Sequence, residues 1–225
     1  MSDHPPQLRT FGRIKARPIK PRQAALLDSL LPTISLDVSH PIEVRYLAPQ
    51  GSEVWLEIGF GGGEHMAEQA ARNPDVLMLG AEPFLNGAAS ALRHIDGRNL
   101  GNVRLHVGDA RELLAALPDA SLARVFVLFP DPWPKARHHK RRLIQSDTVA
   151  ELARVLRPAG RLRFATDWAD YADWALPRFL SEPRLHWAAE RADDWRIPAR
   201  DHVTTRYEQK RLGDIHPVFL DFLRV

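Results

Sequence analysis

The chain has 225 residues, 44% of them hydrophobic, which suits a single domain with a sizeable core. It contains no cysteine, so disulfides, thiol nucleophiles and cysteine-based zinc sites are excluded. No apolar run approaches the roughly 20 residues that cross a bilayer, and the start MSDHPPQLRT lacks the apolar stretch of a signal peptide. We therefore expect a cytoplasmic protein with no membrane partner.

Positive charge is concentrated in two short segments. Residues 1–22 hold six Lys or Arg against one acid, and residues 135–142 hold five with none, although the whole chain carries only +3. The rest of the chain is therefore acidic. Blocks of like charge are often solvated faces, but two of them on an acidic domain indicate contacts with phosphate groups.

Residues 1–22 also contain four prolines and no apolar periodicity, which predicts a mobile basic arm. We expect residues 23–225 to form a single domain that begins with a helix near residues 23–31, ended by Pro32. From Glu53 onward, short apolar runs alternate with helical stretches, which predicts βαβ units and a parallel sheet. The expected strands are 54–58, 76–81, 103–107, 125–129, 162–165 and 217–225. The clearest helices are 83–95 and 145–157, the second ending at Pro158.

The first predicted strand runs into the string WLEIGFGGGEHM, a glycine-rich turn in front of a helix. Gly59, Gly61 and Gly63 let the backbone turn sharply and approach a ligand without a side chain in the way. The next two strands lead into Glu82 and Asp109. A carboxylate at Glu82 suits the ribose hydroxyls of a nucleoside that lies across the strand ends, and Asp109 is placed to contact its adenine.

Two cofactor classes use a glycine-rich turn of this kind. The dinucleotide fingerprint would need its third glycine at position 64, which is Glu64. The observed spacing, with Glu57 two residues before Gly59, resembles motif I of the class I S-adenosylmethionine-dependent methyltransferases. The resemblance implies a Rossmann-like α/β fold, with a mostly parallel sheet, helices on both faces and an antiparallel C-terminal strand. It also implies that Glu57 helps to hold the methionine end of the cofactor through its amino group.

The fourth predicted strand leads into the string FPDPWPKARHHKRR. Three prolines within five residues exclude a continuing helix or central strand, so they predict a rigid loop around Asp131. The string PDPWPKARHHKRR resembles the signature of the bacterial tRNA (guanine-N7)-methyltransferases, which methylate guanosine 46 in the variable loop of tRNA. The segments TFGRIKARPIKPRQ, ATDWADY and TTRYEQK are similar to other parts of that family, so the resemblance spans nearly the whole chain.

The resemblance to this family implies tRNA as the partner and a set of site residues. Asp131 would be the catalytic residue and would contact both cofactor and guanine. S-adenosylmethionine would be bound by Glu57, Gly59, Gly61, Gly63, Glu82, Asp109 and Asp131. The guanosine would be bound by Lys135, Asp167, Thr205, Arg206, Tyr207 and Glu208. The RNA would lie on Arg137, His138, His139, Lys140, Arg141 and Arg142.

The chemistry explains why an acidic turn adjoins a basic block. Guanine N7 has a free lone pair, so no general base is needed, and alignment of the reacting atoms can supply on the order of 7–11 kcal/mol. Methylation leaves a positive charge on the purine. Asp131 can stabilise that charge, and it can also accept hydrogen bonds from guanine N1–H and N2–H. The neighbouring cations would bind the phosphates around the target base.

Two other functions are open on these observations. A methyltransferase acting on an exocyclic amine of DNA or ribosomal RNA would share the Asp-Pro-aromatic turn but not the basic tail. A non-catalytic RNA-binding protein would not need the intact glycine-rich turn with Glu57, Glu82 and Asp109. Nothing in the sequence suggests a metal site, and the chain is expected to be a monomer or a homodimer. Trp133 fits a base-stacking platform and a buried wedge equally well.

Overall fold

One seven-stranded sheet organises the fold. The computed structural model describes residues 18–47 and 49–225, so the first 17 residues of the predicted basic arm lie outside the described residues. The strands are β1 Val54–Ile58, β2 Leu77–Ala81, β3 Val103–His106, β4 Leu122–Leu128, β5 Leu156–Thr166, β6 Leu185–Trp187 and β7 Val218–Arg224. Every strand predicted from the sequence is present, and β6 is a further strand that was not predicted.

The strand order β3-β2-β1-β4-β5-β7-β6 changes direction along the chain between β1 and β4. Strands β1 to β5 pair in parallel, whereas β7 inserts between β5 and β6 and is antiparallel to both. The predicted class I arrangement is therefore confirmed. Ligands of open parallel sheets bind beyond the carboxyl ends of the strands where the order reverses, which directs attention to the loops after β1, β2 and β4.

Helices cover both faces of the sheet, because strand side chains alternate between the two sides. Trp55 and Phe126 face one apolar cluster, and Leu56 and Val125 face the other. The helices are α1 Pro21–Ser29, α2 Leu31–Ile34, α3 Glu64–Arg72, α4 Leu85–Gly97, α5 Ala110–Ala116, α6 Ser146–Val155, α7 Ala169–Leu180 and α8 Asp193–Arg196. Helices α3 and α4 pack on the first face, and α5, α6 and α7 pack on the second. Within the described ranges, no helix is both long and apolar enough to cross a membrane.

The boundaries of the three predicted helices differ from the structure by up to two residues; α4, for example, is Leu85–Gly97 rather than 83–95. Helix α1 begins at Pro21, two residues early, because proline is well tolerated in the first turn of a helix. Pro32 does not end the helical segment but occupies the first turn of α2 for the same reason. Helix α6 ends at Val155, because the chain passes directly into β5 at Leu156, where β4 pairs with it. The last two residues of the predicted arm are thus helical.

Candidate active site

The loops after β1, β2 and β4 surround a cavity of about 1040 Å³. Pockets for drug-sized ligands run from roughly 300 to 1,000 Å³, so this one suits a nucleoside cofactor together with part of a second molecule. Its wall includes parts of three segments: the glycine loop (residues 59–63), the proline loop (residues 129–135) and the turn at residues 205–208. The fold therefore brings together three segments that the sequence analysis selected.

The glycine loop leaves β1 in a conformation that glycine adopts far more easily than other residues. Gly59, Gly61 and Gly63 have φ angles of 73°, 52° and 80°. A Cβ at Gly61 would meet open space, so the backbone there is accessible to a ligand. A Cβ at Gly63 would lie 2.5 Å from the Cβ of Ala91 in α4. Gly61 thus leaves room on the cavity side, whereas Gly63 permits close packing of two helices.

Glu82 follows β2 and holds the glycine loop in place. Its Oε2 accepts the N–H of Gly61 at 2.9 Å, and its Oε1 accepts the N–H of Phe84 at 3.0 Å. Burial raises the pKa of the Glu82 carboxyl despite these two hydrogen bonds, and the charges of Asp131 and Glu57 act in the same direction as burial. Each carboxyl oxygen can accept a further hydrogen bond, as ribose hydroxyls would require.

Glu57 is buried in β1 and lines the cavity. Its Oε2 lies 2.6 Å from Nδ1 of His65, in the first turn of α3. A carboxylate only accepts hydrogen bonds, so Nδ1 of His65 carries the hydrogen. His65 is a partner of Glu57 that the sequence analysis did not select.

Asp109 is the N-cap of α5 and accepts the N–H of Arg111 at 2.9 Å. The Arg111 guanidinium also donates to both oxygens of Asp109, at 2.9 and 2.6 Å. Although burial acts to raise the pKa of Asp109, the hydrogen bonds and charge of Arg111 hold it below its ordinary value. An adenine bound here would therefore contact an ionised Asp109 carboxylate that also accepts hydrogen bonds from Arg111.

The proline loop adopts backbone conformations that are costly for residues other than glycine. Phe129 and Trp133 have φ angles of 52° and 44°. The N–H of Phe129 donates to the carbonyl of Ala165 in β5 at 2.8 Å, which fixes the start of the loop. Asp131 lies between the two strained residues, exposed and on the cavity wall. Strain on both sides of an exposed carboxylate is typical of a functional turn.

The prediction that Arg142 contacts RNA is wrong, because Arg142 is only 2% exposed. Its Nε donates to the carbonyl of Pro132 at 2.8 Å, and its Nη2 forms an ion pair with Asp170. The guanidinium also lies 4.9 Å from the ring centre of Tyr171 and 5.1 Å from that of Trp174. A planar guanidinium suits such stacking together with directed hydrogen bonds. Arg142 therefore clamps the proline loop to α7.

The rest of the basic block stays near the surface. Its fully exposed members are Lys135, Arg137 and Lys140. The Arg141 guanidinium lies 5.0 Å from the ring centre of Trp133, and the His138 ring packs edge-on against the same ring at 5.9 Å. Nε2 of His139 lies 3.2 Å from Asp170. Trp133 is half-buried between its two neighbours, which favours a wedge over an open stacking platform.

Asp167 connects β5 to the C-terminal segment. It is buried, and its oxygens accept the N–H of Gly213 at 2.9 Å and the hydroxyl of Tyr207 at 3.3 Å. Burial raises the pKa of Asp167 despite these hydrogen bonds. The Tyr207 ring stacks on Phe129 with 5.5 Å between ring centres. The C-terminal segment (residues 201–216) is therefore packed, through Tyr207, against Phe129, the first residue of the proline loop.

Thr205 and Glu208 cap each other across a single turn. Glu208 Oε2 accepts the N–H of Thr205 at 2.7 Å, and Thr205 Oγ1 accepts the N–H of Glu208 at 3.2 Å. His202 Nε2 lies 2.9 Å from Glu208 Oε1. Although burial opposes them, these partners hold the pKa of Glu208 below its ordinary value. Between the two caps, Arg206 is exposed and lines the cavity.

The cavity wall contains most of the predicted site residues. The predicted residues that lie outside it are Gly63, Lys135, Arg137, His138, His139, Asp167 and Glu208. Wall residues with charged or titratable side chains that the sequence analysis did not select include His65, Arg111 and Lys210. Their nearness in sequence to the glycine loop, Asp109 and the TTRYE string was the available signal. Among the described residues, no three His, Asp or Glu side chains are grouped so as to hold a metal ion.

Residues 52–219 match a family model described as "Putative methyltransferase". The chain is 60% identical over 226 residues to a tRNA (guanine-N(7)-)-methyltransferase of Caulobacter sp. (strain K31), with 99% of each chain covered. It is 53% identical over 216 residues to the enzyme of the same name from Hyphomonas neptunium (strain ATCC 15444), covering 96% and 99% of the two chains. The chain belongs to this methyltransferase family.

Solved structures of lower identity agree on the fold. The 16S rRNA methyltransferase KamB is 17% identical with a TM-score of 0.55, covering 83% of this chain and 95% of that one. The 16S rRNA (adenine(1408)-N(1))-methyltransferase from Catenulisporales acidiphilia is 16% identical with a TM-score of 0.55, covering 84% and 94%. At such identities the likeness concerns the class I fold alone. The methyl donor that the family and fold imply is S-adenosylmethionine.

Proposed function

We propose that this protein transfers the methyl group of S-adenosylmethionine to N7 of guanosine 46 in the variable loop of tRNA. The observation that carries the proposal is that Glu57, Glu82 and Asp109 line the same cavity as Asp131 and Lys140. The relatives named as tRNA (guanine-N(7)-)-methyltransferases support the choice of substrate. Residues 23–225 are proposed to act as one domain, as a monomer or homodimer in the cytoplasm, and residues 1–22 as a further RNA contact.

The cofactor wall fits S-adenosylmethionine in its chemistry. When bound, this cofactor supplies a methyl group on a positively charged sulfur that leaves as a neutral thioether. Glu57 and Asp131 would suit its cationic groups, Glu82 its ribose hydroxyls and Asp109 its adenine. Gly59 and Gly61 would keep the approach free of side chains, and Gly63 would contribute by letting α3 pack closely against α4.

The residues of this chain would promote the transfer by orientation and electrostatics. The lone pair of guanine N7 forms the new N–C bond, and the electron pair of the broken C–S bond goes to sulfur, so no proton has to be moved. Asp131 would hold the guanine and stabilise the positive charge that develops on the purine. The prolines and the Arg142 clamp keep the loop backbone fixed, so orienting the base costs less entropy.

Lys135, predicted to bind the guanosine, lies outside the cavity wall and is proposed to bind phosphate instead; the other predicted substrate residues divide into two groups. Thr205, Arg206 and Tyr207 line the cavity and would contact the guanosine. Asp167 and Glu208 are occupied by hydrogen bonds within the protein and would act by holding those three residues in place. Phosphates of the RNA would be bound by the lysine, arginine and histidine side chains of the basic block other than the buried Arg142. This set is Lys135, Arg137, His138, His139, Lys140 and Arg141.

Analysis of modified nucleosides tests the proposal. Unmodified tRNA is incubated with the protein and S-adenosylmethionine, digested to nucleosides and analysed by mass spectrometry. We expect 7-methylguanosine, and we expect none from a matched tRNA in which guanosine 46 is replaced by adenosine. Methylation of an exocyclic amine would favour an amino-methyltransferase instead. Binding of tRNA without any methylated product would favour a non-catalytic RNA-binding protein.

A further inference from the structure

A chain of buried polar groups leaves the cavity beside Glu57. His65 and Gln69 are each 1% exposed and lie four residues apart on the same face of α3. Nδ1 of His65 is 2.6 Å from Glu57 Oε2, and Nε2 of His65 is 3.3 Å from Nε2 of Gln69. That same Gln69 nitrogen donates to the carbonyl of Asp201 at 2.8 Å. The groups therefore connect the cavity wall to the segment just before the turn at residues 205–208.

The chemistry of the groups fixes who donates to whom. The Glu57 carboxylate and the Asp201 carbonyl can only accept hydrogen bonds. Nδ1–H of His65 therefore donates to Glu57, and the NH₂ group of Gln69 donates to the Asp201 carbonyl. The second amide hydrogen of Gln69 then meets Nε2 of His65, which accepts as a neutral imidazole. Each of these three hydrogen bonds has one donor and one acceptor, and satisfied buried polar networks rigidify the groups that form them.

Asp201 is one of the points at which the C-terminal segment is attached to the sheet. Its carboxylate accepts from Arg124 of β4 at 2.7 Å and from Arg163 of β5 at 2.9 Å. Arg163 is buried and also donates twice to Asp221 of β7. Although burial opposes them, the two guanidinium groups lower the pKa of Asp201. A displacement of Gln69 in α3 would thus act directly on Asp201, the residue that Arg124 and Arg163 hold against the sheet.

The residues after Asp201 continue the connection to the substrate turn. His202 packs edge-on against Phe219 at 5.0 Å, and its ring centre is 6.1 Å from that of His65. Its Nε2 contacts Glu208, which caps the turn. Only four peptide bonds separate Asp201 from Thr205. The cofactor wall and the substrate turn are therefore linked by short, buried contacts.

We propose that His65 and Gln69 are positioning residues that couple occupation of the cofactor pocket at Glu57 to the placement of residues 205–208. The inference rests on the proposed function, because that function assigns the two ends to cofactor and guanosine. A cationic ligand group that binds the already oriented Glu57 carboxylate further restricts the motion of His65 and Gln69, and through them the motion of Asp201. Coupling between two binding sites is reciprocal, so tRNA strengthens cofactor binding by the same factor.

The coupling is measured as the ratio of tRNA dissociation constants without and with saturating S-adenosylhomocysteine, the demethylated cofactor. In the wild type we expect a ratio of about 5 or more, within the range typical of coupled sites. In Gln69→Leu, which keeps the side chain's approximate size but removes both amide donors, we expect a ratio near 1. The affinity for S-adenosylhomocysteine alone should change less than this ratio does.

Asn102→Leu is the matched control. Its amide likewise donates to backbone carbonyls, those of Ala70, Asn73 and Val76, at the end of α3 away from His65. We expect this variant to keep the wild-type ratio even if its stability falls. Three results would each overturn the proposal. They are a wild-type ratio of 1, a Gln69→Leu variant that keeps the wild-type ratio, and an Asn102→Leu variant that loses it. Gln69→Met replaces the leucine variant if the latter does not fold.

A second measurement needs neither tRNA nor methyl transfer. Amide hydrogen exchange of residues 201–208 is followed with and without S-adenosylhomocysteine. We expect the cofactor product to slow exchange there in the wild type but not in Gln69→Leu. This result is independent of the nucleoside analysis, so failure of the proposed function leaves it standing. If the cofactor product leaves exchange of residues 201–208 unchanged in the wild type, the coupling is refuted while the proposed function is not.

Discussion

The two walls of the cavity present their carboxylates in opposite ways. On the glycine-loop wall, Glu57, Glu82 and Asp109 are all buried, and each accepts at least one hydrogen bond from within the protein. On the proline-loop wall, Asp131 is exposed, and so is the wall residue Lys140. The first wall orients its side chains before a ligand arrives, whereas the second fixes its backbone.

The difference follows from what each wall has to meet. A small cofactor fits completely into a cavity, so buried and pre-oriented acceptors can discriminate among its groups. A large nucleic acid approaches from solvent, and its phosphates are attracted by exposed charge over a distance. Holding the proline loop through Arg142 and through strained residues lets an exposed Asp131 still be positioned accurately.

The largest effect is expected from Asp131→Asn on the proline-loop wall. Removing one pre-oriented electrostatic contact costs roughly 100- to 1,000-fold in catalytic rate. The single-turnover rate of methyl transfer should fall by that factor, while S-adenosylhomocysteine, measured by calorimetry, should still bind. Asp147→Asn is a suitable control, because Asp147 is also an exposed carboxylate on the cavity wall. A near-normal rate in Asp131→Asn would contradict the proposed role.

The next effect concerns Glu82→Ala on the opposite wall. Hydrogen bonds to charged groups contribute about 1.5–3 kcal/mol, so cofactor affinity should fall by roughly 10- to 100-fold. Loss of the Gly61 N–H partner adds to this by loosening the glycine loop. Affinity for tRNA in the absence of cofactor should not change, and an equal loss there would remove the distinction between the walls.

Arg142→Met tests whether the proline loop depends on its clamp. Its lost hydrogen bonds should lower the free energy of unfolding by about 2 kcal/mol, and therefore the melting temperature by roughly 4–8 °C. The rate of methyl transfer should fall because Asp131 is less well held. The dependence of tRNA binding on salt should stay the same, since Arg142 is buried. A smaller salt slope in this variant would mean that Arg142 does contact RNA phosphates.

The smallest structural effect is expected from the double variant Arg137→Gln, Lys140→Gln. Both side chains are exposed, so the melting temperature and cofactor affinity should match the wild type. Binding to every tRNA should weaken by a similar factor, and the salt slope should fall by about two phosphate contacts. An unchanged slope would show that this surface does not carry RNA.

Local sequence patterns predicted most of the fold and of the cofactor wall. The glycine spacing and the strand ends at Glu82 and Asp109 are encoded within a few neighbouring residues, so a parallel sheet brings them to one edge. Arg142 could not be assigned in this way, because it looks like its neighbours in the run KRR. Its burial depends on Asp170 and on aromatic rings of α7, nearly 30 residues further along.

His65 was missed for a related reason. Its neighbour Gln69 meets Asp201 across 132 residues of chain, and no periodicity in the sequence marks such a contact. Polar residues at positions four apart on a helix usually face solvent, whereas here both are buried. Long-range polar networks of this kind are where sequence reasoning fails first.

The position of β7 also orders events during synthesis. The ribosome makes this strand after residues 201–208, yet β7 supplies Asp221, the partner that helps Arg163 to anchor Asp201. A nascent chain can therefore pair β1 to β5 and close the glycine loop before the anchor of its substrate turn is complete. Until β7 arrives, β5 remains an open edge that other chains can pair with. Translation that stalls between Asp201 and Phe219 should yield aggregation-prone chains that already have a cofactor wall.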